Sequence, residues 1–156
     1  MEYTVNGIET TDTIGDEYLN QKAQETYLIV SVTVKNNGDD ALSVLDSFFK
    51  LKKGDKTYNT DSTAIMYLGD ESIFAKEINP DASLKGKIVF DVTKATIDDK
   101  NLQLQVQTGA WGHGKGADQS ALDRYRLRQK ELSHMRRFFF SPLVVWLAFF
   151  YGIRYD

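Results

Sequence analysis

Thr26-Tyr27-Leu28-Ile29-Val30-Ser31-Val32-Thr33-Val34-Lys35 decides the fold class. Leu28, Val30, Val32 and Val34 alternate with Tyr27, Ile29, Ser31 and Thr33, a period of two that sends successive side chains to opposite faces of a sheet. The β-branched residues that dominate it suit a pleated surface better than a helix, where the preceding turn restricts their χ1. The stretch reads as a core strand, and Asn36-Asn37-Gly38-Asp39 ends it with turn-forming residues.

The same grammar recurs on either side. Phe48 to Lys52 and Lys56 to Asn59 flank Lys53-Gly54-Asp55, a hairpin signal, and Ile73 to Ile78 stops at Asn79-Pro80-Asp81. Leu84 to Val92 places Ile88, Phe90 and Val92 on one face. Leu102, Leu104 and Val106 do the same between Gln103, Gln105 and Gln107, whose polar side chains should face solvent. No helical stretch lies between these segments to build parallel βαβ units. The pattern predicts an all-β sandwich over residues 1–112.

Composition supports one domain with an appendage. A chain of 156 residues, 42% apolar and with a net charge of −3, can bury a single core and is not held open by self-repulsion. With no cysteine, a disulfide framework, a thiolate zinc site and a cysteine nucleophile are excluded together. Met1-Glu2-Tyr3 leads into polar sequence rather than a secretory signal, so a signal segment is absent from this chain.

Basic residues mark an internal boundary. Residues 1–117 hold 12 Lys and no Arg against 18 acidic residues, a charge of −6. Residues 118–156 hold 1 Lys and 6 Arg against 4 acidic residues, a charge of +3. The expected organisation is a sandwich over 1–112, a glycine-rich linker over 113–117, a cationic helix over 118–137 and an apolar tail over 138–156.

Four motifs stand in order along the first part: Tyr27 to Gly38, Phe49-Lys50-Leu51, Asn79-Pro80, and Gly86-Lys87-Ile88-Val89-Phe90-Asp91-Val92. Over residues 3 to about 111 they resemble a family of unknown function with a telokin-like, immunoglobulin-type fold, found mainly in cell-surface lipoproteins of Gram-positive bacteria. The resemblance implies an extracytoplasmic, cell-surface domain without established catalytic residues, so it carries over no functional site. The chain departs from the family pattern in lacking a lipidated N-terminal cysteine and in continuing past the last strand.

No catalytic constellation emerges. Gly109 through Lys115 matches the spacing of a phosphate-binding loop, but Gly116 stands where a Ser or Thr hydroxyl would hold Mg²⁺, and a flexible linker is the simpler reading. His113 and His134 are the two histidines, too few for a metal site by themselves. No G-x-S-x-G elbow occurs. The acidic pairs Asp16-Glu17, Asp39-Asp40, Asp70-Glu71 and Asp98-Asp99 fit solvated loop tips, with Ca²⁺ as the sharper alternative. Tyr58, Met66, Tyr67 and Phe74 make a candidate interaction patch. No catalytic, cofactor-binding or metal-binding residue is assigned.

The tail adds a capping box at Ser120-Ala121-Leu122-Asp123, the start of the cationic helix. Residues 138–153 then run without charge and include Phe138, Phe139, Phe140, Trp146, Phe149 and Phe150. They are just short of the roughly 20 residues a membrane helix needs. Three readings stay open: a membrane anchor, a lid closing the sandwich or a homo-oligomer, and the product of a frameshift, read-through or fusion. The leading expectation is a non-catalytic extracytoplasmic module that binds a protein or cell-envelope component, not nucleic acid. The alternatives are a membrane-associated structural protein held by the tail and a Ca²⁺- or small-molecule-binding domain.

Overall fold

The computed structural model describes residues 1–107 and 115–118, which belong to one compact unit spanning Met1–Asp123. The fold is all-β with two short helices. Sheet one has the order β1 (Glu2–Gly15), β2 (Asn20–Lys35), β7 (Ser83–Asp91). Sheet two has the order β5 (Lys56–Asn59), β4 (Phe49–Lys53), β8 (Leu102–Gln107), β9 (Lys115–Asp118). A two-stranded ribbon joins β3 (Leu42–Ser43) to β6 (Glu77–Ile78), and the helices are α1 (Ser62–Met66) and α2 (Lys94–Ile97).

The alternation in β2 works as read. Leu28, Val30, Val32 and Val34 are buried and pair with Phe90, Ile88, Gly86 and Leu84 of β7. Phe49 and Leu51 of β4 pair with Val106 and Leu104 of β8 to form the apolar face of sheet two. The two faces meet where the Tyr3 ring stands edge-on to Phe49, centroids 5.7 Å apart. Burial pushes the Tyr3 hydroxyl up to about 12. Each fully buried aliphatic or aromatic side chain here contributes about 1.5–3 kcal/mol, which lets the domain cohere without disulfides.

One half of β2 is buried on both faces. Tyr27 and Ile29, which alternation assigns to solvent, form a second cluster with Ile14, Val89 and the α1 residues Ala64 and Ile65. Helix α1 is fixed there by Asp61, whose carboxylate accepts from the N–H groups of Thr63 and Ala64, both at 2.9 Å. The Asp61 N–H in turn donates to the Val89 carbonyl, tying the helix to β7.

Several expectations change. The segment Ile73 to Ile78 is a strand only at Glu77–Ile78. Its start lies against β7 instead, through a parallel bridge between Ser72 and Lys87. Residues 115–117, read as the end of a linker, and Asp118, read as the start of a helix, form β9 on the edge of β8. The reason is that an open strand edge presents unpaired backbone groups that any extended segment can satisfy. The remainder of the linker, His113, His134, the cationic helix and the apolar tail with Phe138, Phe139, Phe140, Trp146, Phe149 and Phe150 lie outside the described residues.

Candidate binding groove

Strand β7 ends opposite Tyr27, while β1 and β2 run on as a two-stranded arm. At the arm's base the register jumps from Thr11↔Tyr27 to Thr13↔Lys22, so β2 bulges. The Asp91 carboxylate collects the N–H groups freed there, accepting from Gln24 at 2.7 Å and Glu25 at 3.0 Å. The arm then lies over α1, with Ile14 buried against it.

The arm's tip is a built turn. Asp16 accepts from the N–H groups of Tyr18 at 2.8 Å and Leu19 at 2.7 Å, and its own N–H donates to the Leu19 carbonyl at 2.9 Å. Gly15 precedes it with φ of +112°, and a Cβ there would lie 2.2 Å from the Leu19 carbonyl oxygen. The N–H groups of Leu19 and Tyr18 hold the Asp16 carboxyl below the usual carboxylate range. A depressed carboxylate stabilises the tip above its unfolded pKa, and that stabilisation disappears as pH falls through its folded value. Accordingly, the protection of the Tyr18 and Leu19 amides relative to intrinsic exchange should fall on acidification, whereas Asp16→Ala should lack that protection already at neutral pH.

This tip carries Tyr18, 92% exposed, and Leu19, 65% exposed. Met66, 79% exposed, ends α1. Among the described residues the other large apolar side chain in solvent is Leu45, at 49%. Leu19 and Met66 line a groove of about 460 Å³ between arm and helix, floored by Ile14 and Ile29. Asp16, Glu71 and Lys87 also line it. A second recess of about 450 Å³ shares Glu71 and Lys87 and is lined further by Asn6, Ser31 and Lys85.

Lys87 is the charged centre of this surface. Its Nζ lies 2.8 Å from Glu71 Oε2 and 3.2 Å from Glu9 Oε1. The hydrogen bond it donates to Glu71 is the main cause that raises the ammonium's pKa, so it stays protonated and is no nucleophile or base near neutral pH.

The expected patch of Tyr58, Met66, Tyr67 and Phe74 is divided. Met66 is exposed beside the groove and Tyr67 lines it. Phe74 packs on the α1 cluster and meets the Phe49 ring at 5.9 Å, while Tyr58 sits in β5 opposite Leu51. Tyr18 and Leu19 escape sequence reading because the arm's reach over α1 is a tertiary fact. One member of three of the acidic pairs takes a structural role: Glu71 pairs with Lys87, Asp16 builds the tip, and Asp99 pairs with Lys53 at 3.1 Å. Among the described residues no group of three or more His, Asp or Glu is placed to hold a metal ion, and no helix is long and apolar enough to cross a membrane.

A family described as "Domain of unknown function (DUF4352)" matches residues 1–116. The chain belongs to the DUF4352 family. The match reaches past Gly112 into β9. Two solved structures share the DUF4352 chain's fold. A conserved hypothetical protein from Bacillus anthracis is 21% identical, with 74% of this chain and 84% of that one covered and a TM-score of 0.51. The yjhA protein from Bacillus subtilis is 19% identical, with 67% and 72% covered and a TM-score of 0.53. No curated protein matches this DUF4352 chain at a significant level.

Proposed function

We propose that this chain is a non-catalytic, extracytoplasmic, immunoglobulin-like module that binds a protein of the cell envelope through the groove between its arm and α1. The observation that carries the reading is the convergence of Leu19 and Met66, two exposed large apolar side chains, on one groove, with the exposed Tyr18 next to Leu19 on the same tip. Solvent-facing apolar groups on a turn fixed by three hydrogen bonds lose little entropy on association, which favours recognition over chance exposure. The cell-surface address is supported by the resemblance to domains of Gram-positive lipoproteins.

The test compares the immobilised full chain with its Tyr18→Ser/Leu19→Ser/Met66→Ser variant in envelope extracts. A protein retained by the first and lost from the second is expected, with thermal unfolding unchanged to within roughly 0.5 kcal/mol per site because these side chains are exposed. Identical retained sets would sink the reading.

A further inference from the structure

We infer that the groove takes a cationic, apolar peptide segment, one that sets basic side chains beside aliphatic ones. The inference rests on the binding reading above and names its ligand chemistry. The apolar end of the groove is Leu19 and Met66, both largely in solvent. Its polar lining is Glu71 and Lys87, with Glu9 joined to Lys87, and Asp16 on the arm's tip beside Leu19. Glu9 and Glu71 hold the Lys87 ammonium and Asp16 adds a third carboxylate at the tip, so that even with Lys85 of the adjoining recess one net negative charge remains on this surface. The ammonium is already shared between Glu9 and Glu71, so its charge is committed within the surface.

Lys87 keeps one N–H donor beyond Glu9 and Glu71, whereas the three carboxylates keep several acceptor positions, so this lining accepts more than it donates. An occupant must supply donors and positive charge there and apolar side chains at Leu19 and Met66. Lysine or arginine next to leucine-like residues meets both demands. An acidic peptide is repelled, as is an anionic lipid surface, since residues 1–117 carry −6 overall.

Three fluorescein-labelled hexapeptides test this with the full chain: alternating leucine and lysine, alternating leucine and glutamate, and alternating serine and lysine. Anisotropy should show binding of the leucine–lysine peptide alone, weakening as salt rises. Glu71→Gln should weaken it about fivefold, the upper range for an exposed ion pair. Leu19→Ser/Met66→Ser should abolish it, and Leu45→Ser, at the exposed apolar residue that does not line the groove, should leave it unchanged. Absence of leucine–lysine binding, binding indifferent to Glu71→Gln and Leu19→Ser/Met66→Ser, or equal binding of the glutamate peptide overturns the inference. So does groove-dependent binding of anionic phosphatidylglycerol vesicles in its place. If the peptides fail while an envelope protein is still lost from the triple serine variant, the ligand chemistry falls and the binding reading stands.

Discussion

Gly86→Val is expected to lose about 3 kcal/mol of folding stability, the upper end for overpacking a filled site. A Cβ at Gly86 would stand 2.7 Å from Ile73 Cβ and 2.8 Å from both Ile73 Cα and Ile73 N. Two of those three atoms are backbone, so no rotamer change relieves the clash. Ile73 is fully buried and its N–H approaches the Lys87 carbonyl at 3.4 Å, so the segment cannot withdraw without losing its place beside β7. Gly7→Val is the control, because a Cβ at Gly7 meets nothing within 4 Å. Urea unfolding should show a large fall in midpoint for Gly86→Val, little for Gly7→Val, and similar slopes for both. Equal losses would show that strand glycine as such, and not the approach of Ile73, sets the cost.

Asn36→Ala should cost about as much, roughly 3 kcal/mol, by leaving buried groups unpaired. Asn36 is 3% exposed, and its Nδ2 donates to the carbonyls of Asp40 at 2.7 Å and Ile78 at 2.9 Å. Its Oδ1 accepts from the Gly38 N–H at 3.0 Å. Its backbone adds two further bonds, donating to Ala82 and accepting from Asp81. Side chain and backbone of this one residue thus fasten the turn after β2 to β6 and to the turn before β7. Asn36→Asp sharpens the test, since it points a carboxylate at two carbonyl oxygens. It should be at least as damaging near neutral pH and recover in part as falling pH protonates the new carboxyl and restores one donor. Chemical unfolding at pH 7 and pH 5 checks this, and an Asp variant as stable as the parent at both would contradict the assigned bonds.

The strands that could be read in advance are those whose apolar residues keep a strict period. β2, β7, β8 and the β4–β5 hairpin all do, and the hairpin closes through Lys53↔Lys56 as Lys53-Gly54-Asp55 suggests. β1 was invisible because its register shifts between Val5 and Gly7 and again between Thr11 and Thr13. The first bulge lies in β1 and moves its inward parity, so Val5 and Ile8 fall three apart, while the second lies in β2 and breaks the pairing before Ile14. Ile73 and Phe74 failed in the opposite sense. Their β-prone character reflects docking on Gly86 and Phe49, not strand pairing. Of the groove, Met66 could be picked out as an apolar residue in a long connecting segment. The ion pairs of Lys87 with Glu9 and Glu71 join residues far apart in the chain, and no local pattern announces them.

The segment from Asp61 to Ile73 forms a strap along β7, tied to it at both ends. β7 is an outer strand of its sheet, and Asp61 and Ile73 direct their N–H groups to its carbonyls at Val89 and Lys87. Those two positions are closed to a strand from a neighbouring molecule, which would otherwise add there and begin a fibre. Strand addition over this stretch of the edge would first have to displace these two N–H groups. Gly86 guards solubility as well as stability: a side chain at that position would push the strap away and leave a sticky seam along the domain.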